Sequence, residues 1–179
     1  SPETTGAQHF PARHINLIDE GVDLSIRITP RLDPGDVARK LGETRLIAVA
    51  SPAYLAHHGR PTHPSELGAH TCLGYSAKAN NRPLAFLIDG RIENVHVPFR
   101  LQANNGDALM EAAAQGLGIT MQPDFIANDY LARGAVGPVL EAFAPPPLGI
   151  HAMLPSNRYL PHRVRVLIDF LASELAKAP

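Results

Sequence analysis

The sequence predicts an α/β fold, because short apolar runs with the composition of strands alternate with segments of helical periodicity. Hydrophobic residues make up 45% of the 179 residues and charged residues 18%, so the chain can bury a sizeable core. The 17 prolines and 14 glycines divide it into many short elements. Alternation of this kind is typical of mostly parallel sheets, and consecutive strands in the middle of the chain indicate that at least one sheet is mixed.

The first half of the chain contains two apolar strands and two short helices. Residues 23–29, DLSIRIT, and residues 45–51, RLIAVAS, are short and rich in β-branched and aliphatic side chains. The preceding segment INLIDEG is predicted to be a helix that ends at Gly21. In SPAYLAHHG, Ser51 suits the helix cap and Pro52 the first helical position.

The second half begins with strand-like runs, CLGYS, AFLIDG and RIENVHVPFRLQAN, and Asp89-Gly90 is a hairpin signal between the last two. GDALMEAAAQG then changes to helical spacing. GITMQP and LGIHAML are predicted strands, and PDFIANDYLARG is a predicted helix. The last helix has one apolar stripe. Its members are Val164, Leu167, Ile168, Leu171 and Leu175.

Charge and hydropathy exclude several classes of partner. With 16 basic and 17 acidic residues the net charge is −1, so the chain lacks the basic excess that binding to DNA phosphates requires. No apolar run approaches the roughly 18 residues of a membrane span, and the N-terminus does not resemble a signal peptide. The single cysteine fits a reducing compartment. We therefore expect a cytoplasmic protein with no membrane partner.

Residues suited to catalysis or metal binding do not form a recognised pattern. Four histidines, at positions 57, 58, 63 and 70, lie close together in the sequence, but their spacing matches no usual set of metal ligands. Cys72 lacks an orienting third group for nucleophilic chemistry and is interpreted as a small buried residue. Gly116 and Gly118 follow a helix instead of opening one, so they do not form a dinucleotide loop. The sequence predicts no enzyme, no metal and no cofactor.

The most suggestive local feature is the segment Asn104-Asn105-Gly106-Asp107, which ends a predicted strand and opens a predicted helix. Backbone N–H groups and polar side chains converge at such a junction, and ligands of open α/β sheets bind outside the carboxyl ends of strands. Asn105 or Asp107 can equally be a helix cap. The residues leave both roles open, and one residue can fill both. Thr29, which ends the strand from Asp23, is a second polar group of this kind.

The order of motifs resembles one family. IDEGVDLSIRI, VARKLGETRLIAVASPAYLAHHGRP, HTCLGYS, RLQANNGDALMEAAAQGLGITMQP and LPHRVRVLIDFLASEL follow each other as in the effector-binding domain of LysR-type bacterial transcriptional regulators. The similarity runs from about residue 10 to residue 175. DEGVDLSIRI, SPAYL and NNGDAL followed by GLGI are its specific parts.

The resemblance implies two lobes of the type II periplasmic-binding-protein kind, with mixed sheets flanked by helices and joined by two crossing strands. Lobe I would comprise residues 1–47 and 150–179, and lobe II residues 48–149. A small-molecule effector would bind in the cleft between them. The residues that match the family's ligand-binding positions are Thr29, Pro30, Asn104, Asn105, Asp107 and Gln122.

Two departures from the family pattern affect these expectations. The winged helix-turn-helix is absent from this sequence, so DNA would be bound only through a domain outside it. The first strand and helix of lobe I also have no counterpart, because TTGAQHF matches the family's second strand. A sheet that lacks a strand has an open edge that can recruit another chain. The resemblance itself implies a homodimer or tetramer.

On these grounds we predict a regulatory domain that binds a small metabolite, such as a carboxylate or an aromatic acid. Binding would shift the populations of two states that differ in DNA binding. The main alternative is a solute-binding protein of the same architecture that serves transport. An enzyme on this scaffold is a third alternative, which no nucleophile, base pair or metal cluster in the sequence supports.

Overall fold

The structure is a computed structural model that describes residues 23–76, 83–155 and 160–177. It divides into two compact units. Within the described residues, unit 1 is Arg45–Pro146, and unit 2 comprises the chain before Arg45 and the chain from Pro147 onwards. The sequence placed the two lobe boundaries three residues later, after residues 47 and 149. The helix predicted for INLIDEG lies outside the described residues, as does the segment matched to the family's second strand.

The described chain contains ten strands and four α-helices. The strands are β1 Ser25–Thr29, β2 Val37–Thr44, β3 Leu46–Ala50, β4 Cys72–Tyr75, β5 Leu84–Ile88, β6 Arg91–Val95, β7 Phe99–Ala103, β8 Ile119–Pro123, β9 Gly137–Val139 and β10 Leu148–Leu154. The helices are α1 Pro52–His58, α2 Gly106–Ala114, α3 Asp124–Ala132 and α4 His162–Lys177. Two short 3₁₀ helices, Pro64–Ala69 and Glu141–Phe143, complete the regular structure of the described segments.

Unit 2 is a three-stranded antiparallel sheet in the order β1-β10-β2, with α4 packed against it. The α4 side chains Val164 and Ile168 are buried with Ile150 and Ala152 of β10. Leu171 and Leu175 pack against the same cluster, as the predicted stripe requires. Leu167 departs from that stripe because it is 43% exposed. The residues that pack against the sheet are spaced by four and then three positions, at Val164, Ile168 and Leu171. Leu167 therefore lies at the border of the buried face.

Unit 1 contains a five-stranded mixed sheet in the order β7-β4-β8-β3-β9. β4 runs parallel to both β7 and β8, whereas β3 runs antiparallel to β8 and β9. The expectation of mostly parallel sheets is therefore wrong for the described strands, and the expectation of a mixed sheet is confirmed. Alternation predicts parallel neighbours only when successive strands join one sheet through crossover helices. In unit 2, β10 lies between β1 and β2 and runs antiparallel to both.

Several local predictions are confirmed in unit 1. β5 and β6 pair across the turn Asp89-Gly90, whose φ angles of 49° and 75° are both positive, as a two-residue hairpin turn of type I′ requires. Ser51 caps α1, because its Oγ accepts a hydrogen bond from the Tyr54 N–H at 3.0 Å. Pro52 is the first residue of that helix, where its missing N–H has no cost.

Two apolar clusters lie on the two faces of the five-stranded sheet. One joins α2 to the sheet through Leu109, Met110 and Ala113. The other joins Phe86 of the hairpin to Ala48 and Val139. In the described part of the chain, no helix has both the length and the apolar composition needed to cross a membrane.

Candidate functional site

The carboxyl ends of three parallel strands meet at one edge of the sheet in unit 1. β4 ends at Tyr75, which pairs with Ala103 at the end of β7. Leu73 pairs with Thr120 on the other side, so Gln122 comes level with Tyr75 near the end of β8. We call this side of the sheet the carboxyl edge. Ligand sites of open α/β sheets lie at such edges.

α2 begins at the carboxyl edge, directly after β7. Asn105 is its N-cap, and Oδ1 of Asn105 accepts hydrogen bonds from the N–H groups of Asp107 at 2.8 Å and Ala108 at 3.2 Å. The cap role that the sequence left open therefore belongs to Asn105. Asn104 and Asp107 are exposed on either side of it. Their amide and carboxylate groups are therefore accessible to solvent at this junction.

A chain of side-chain hydrogen bonds supports the same edge from inside the sheet. The Tyr75 hydroxyl donates to Oε1 of Gln122 at 2.7 Å, and Nε2 of Gln122 donates to Oγ1 of Thr120 at 3.0 Å. Gln122 is 0% exposed, so both ends of its amide find partners inside the protein, as a buried amide requires. In the structure Gln122 contacts Tyr75 and Thr120, and it positions the edge from within.

Gly106 lies where this hydrogen-bonded chain meets α2. A Cβ atom at Gly106 would lie 2.6 Å from the Tyr75 hydroxyl oxygen and 2.9 Å from Oε1 of Gln122. These distances are shorter than van der Waals contact, so only glycine allows the first residue of α2 to approach the Tyr75–Gln122 pair this closely. The third residue of the NNGD motif is thus explained by packing.

Electrostatics links Asp107 to the same group of residues. Burial raises the pKa of the Tyr75 hydroxyl, and the Asp107 carboxylate raises it further, while the hydrogen bond to Gln122 acts in the opposite direction. Tyr75 therefore stays protonated and remains a hydrogen-bond donor. Asp107 also lies in the first turn of α2, where a negative charge is stabilised by the helix dipole.

The remaining predicted site residues, Thr29 and Pro30, belong to unit 2. Thr29 is the last residue of β1. Its Oγ1 donates a hydrogen bond to the carbonyl oxygen of Arg31 at 2.7 Å and accepts one from the Arg31 N–H at 3.3 Å. Pro30 is exposed. The structure thus brings Asn104, Asn105, Asp107 and Gln122 together in one unit and places the other two residues at a strand end of the second unit.

Sequence reasoning missed Tyr75 and Thr120. Tyr75 ends the run CLGYS, which the sequence identified as a strand without indicating that its neighbours are β7 and β8. Strand order depends on contacts between residues far apart in the sequence. The available signal was a polar aromatic residue at a strand end, which becomes informative only once that order is known.

Cys72 and His70, the two neighbouring residues that could suggest a thiol and its base, each make a separate local contact. Burial raises the pKa of the Cys72 thiol to about 11, and its Sγ lies 3.6 Å from the carbonyl oxygen of Leu67, which agrees with its interpretation as a small buried residue. The Tyr54 hydroxyl and Nδ1 of His70 lie 2.9 Å apart and share a hydrogen bond. Across the residues that the structure describes, no three His, Cys, Asp or Glu side chains converge as metal ligands would.

Comparison with known proteins identifies the family. The profile of the LysR substrate binding domain matches residues 7–176. The chain belongs to the LysR substrate binding domain family. This LysR domain is 32% identical over 174 residues to the probable HTH-type transcriptional regulator LtrA of Klebsiella pneumoniae, covering 96% of the chain and 56% of that protein. It is 33% identical over 163 residues to the HTH-type transcriptional regulator CrgA of Neisseria meningitidis, covering 90% of the chain and 54% of the relative.

Solved structures agree with the sequence relatives. The regulatory domain of CrgA from Neisseria meningitidis superposes with a TM-score of 0.76 at 32% identity, covering 92% of this LysR domain and 81% of that chain. Full-length AphB, described as a virulence activator of Vibrio cholerae, superposes with a TM-score of 0.71 at 28% identity, covering 97% of the domain and 56% of that chain. The fold predicted from the family resemblance is confirmed. The chain spans about half the length of the curated regulators that it matches.

Proposed function

We propose that this LysR domain binds a small-molecule effector at the carboxyl edge, through contacts made by Asn104, Asn105 and Asp107 and an edge held in place by Gln122. One observation carries the proposal: three parallel strand ends and the N-terminus of α2 converge on exposed polar side chains. This arrangement is the usual location of a ligand in an open α/β sheet. Thr29 and Pro30 are proposed as contacts from unit 2.

The proposed role of binding is regulation of transcription by the full-length protein. The relatives that this domain matches are named as transcriptional regulators, which favours this role over transport and over catalysis. A separate helix-turn-helix domain would bind the DNA. The full-length protein would act in the cytoplasm as a homodimer or tetramer. The effector would act by binding more tightly to one of two regulatory states, since only a difference in affinity shifts their populations.

The chemistry of the edge favours a small carboxylate or aromatic acid as the effector. The N-terminus of α2 carries partial positive charge, and the exposed Asn104 amide can donate to a carboxylate oxygen. The Asp107 carboxylate, in the same first turn, repels negative charge, and this repulsion grows with each further carboxylate that a ligand carries. We therefore propose a monocarboxylate whose uncharged part extends away from α2.

A thermal-shift screen of this domain against a panel of metabolites tests the proposal. A ligand at a hundred times its dissociation constant adds about 2.7 kcal/mol of stability, which is easily detected. The panel should pair each carboxylic acid with its amide. A hit that requires the acid supports the proposed class, a hit shared by acid and amide supports the site without that class, and turnover of the hit would favour an enzyme.

A further inference from the structure

Unit 1 contains a pocket at the end of its sheet where β3 pairs with the edge strand β9. Its volume is about 310 Å³, near the lower end of the range for pockets that hold small molecules. Its lining comes from β3, β8, β9, the hairpin, α3 and the 3₁₀ helix that follows β9. We call it the β3–β9 pocket.

The walls of the β3–β9 pocket are mainly apolar. They include Leu46, Phe86, Met121, Leu131, Val139 and Leu140. Leu140 lines the pocket although its φ of 55° lies in the left-handed region, which is unfavourable for a leucine and requires support from its surroundings. An apolar pocket of this size suits a branched aliphatic or aromatic side chain.

Two oppositely charged side chains complete the lining, Arg45 and Glu141. Both are exposed. Two hydrogen bonds with Asp124 hold the backbone of Arg45. The Asp124 N–H donates to the Arg45 carbonyl oxygen at 2.8 Å, and the Arg45 N–H donates to the Asp124 carboxylate at 3.2 Å. Within the described part of the chain, neither the Arg45 guanidinium nor the Glu141 carboxylate has an ion-pair or hydrogen-bond partner.

We propose that the β3–β9 pocket is a second ligand site and that it binds an apolar α-amino acid as its zwitterion. The carboxylate of the amino acid pairs with Arg45, since a guanidinium presents parallel N–H donors that match a carboxylate. Its ammonium group pairs with Glu141, and its apolar side chain enters the pocket. One cation and one anion at the mouth of an apolar pocket complement the charges of an amino acid better than those of a simple acid or amine.

This pocket is lined mainly from the face of the sheet that carries Phe86 and Val139, and it shares no side chain with the carboxyl-edge site. Successive residues of a strand point to opposite faces, and Met121 lines the pocket while its neighbour Gln122 bonds to Tyr75. Phe86, Val139 and Leu140 belong to the apolar cluster on one face, and the α2 residues Leu109 and Met110 belong to the cluster on the other. Because the two sites use different side chains, substitutions can test each of them separately.

The test is calorimetric titration of this domain with L-leucine and L-phenylalanine, alongside isopentylamine and 4-methylpentanoic acid, which each lack one charged group. We expect at least one of the two amino acids to bind. Each analogue with a single charged group should bind at least about tenfold more weakly than the amino acid. Arg45→Gln should weaken amino-acid binding about tenfold and leave the affinity for isopentylamine unchanged. Glu141→Gln should also weaken amino-acid binding about tenfold, but it should leave the affinity for 4-methylpentanoic acid unchanged. Arg91→Gln and Glu93→Gln, on the exposed hairpin, are matched controls.

Ala144→Phe provides a second line of evidence, because Ala144 lines the pocket and is exposed, so a larger side chain there blocks the pocket without entering the core. This variant should abolish amino-acid binding while its circular dichroism spectrum stays unchanged. No binding of either amino acid at millimolar concentration would overturn the inference, as would affinities that Arg45→Gln, Glu141→Gln and Ala144→Phe all leave intact. Amino-acid binding that Asn104→Ala abolishes would also overturn it, because the ligand would then occupy the carboxyl edge.

Discussion

The Tyr75 hydroxyl donates a 2.7 Å hydrogen bond to Oε1 of the fully buried Gln122, and this contact joins the ends of β4 and β8 beside the first residue of α2. The NNGD motif packs directly on this pair, because Gly106 lies close to the Tyr75 hydroxyl oxygen and to Oε1 of Gln122. The exposed residues Asn104 and Asp107 lie on either side of this contact in the NNGD motif. Four predictions test what stabilises this edge of unit 1 and the sheet of unit 2.

Gly106→Ala should destabilise the domain by about 1–3 kcal/mol, because the added methyl group overlaps the Tyr75–Gln122 pair and the structure must shift to accommodate it. The free energy of unfolding in urea measures the effect. Gly68→Ala is the matched control, since a Cβ at Gly68 meets nothing within 4 Å. Equal stability of the two variants would contradict the close approach at Gly106.

Asn105→Ala should cost about 0.5–2 kcal/mol, because the N–H groups of Asp107 and Ala108 lose their side-chain acceptor. Asn105→Asp should retain most of the stability, since a carboxylate also caps a helix N-terminus. Urea unfolding of the two variants separates the cap from a mere loss of side-chain volume. A cap role is refuted if the alanine and aspartate variants unfold alike.

Tyr75→Phe should destabilise the domain by about 1–3 kcal/mol, because the buried Gln122 amide oxygen is left without its donor. A double-mutant cycle with Gln122→Leu isolates the interaction. We expect the double variant to lose less stability than the sum of the two single losses. Strict additivity would mean that the hydrogen bond does not form in solution.

His151 should make the stability of unit 2 depend on pH. Burial lowers the pKa of this histidine, and the positive charge of Lys40 lowers it further. The unfolded chain therefore binds more protons near its ordinary pKa of about 6.5, so stability is lost as the pH falls through that value.

The measurement for His151 is the free energy of unfolding at several pH values between 5 and 8, compared for the wild type and His151→Gln. The variant should show a weaker decrease toward acid. His96→Gln, at an exposed position, should follow the wild type. A decrease that His151→Gln leaves unchanged would assign the acid sensitivity to other groups.

The sequence predicted the elements that depend on neighbouring residues. The Ser51 cap, the Asp89-Gly90 turn and the start of α2 at NNGD follow from side-chain chemistry within a few residues, and each is confirmed. Sheet direction was predicted wrongly, because β10 pairs with β1 and β2 across more than a hundred residues of chain. Tyr75 was missed for the same reason. Its role depends on the positions of β7 and β8 beside β4.

The central claim is that the exposed side chains of the NNGD junction bind the effector. Calorimetric titration of the strongest screening hit into the wild type, Asn104→Ala and Asn94→Ala tests it most directly, since Asn94 is an exposed asparagine on the hairpin. Asn104→Ala should weaken binding about tenfold or more while Asn94→Ala binds like the wild type, and Thr29→Ala reports separately on unit 2. Wild-type affinity in both Asn104→Ala and Thr29→Ala would contradict the assignment of the site.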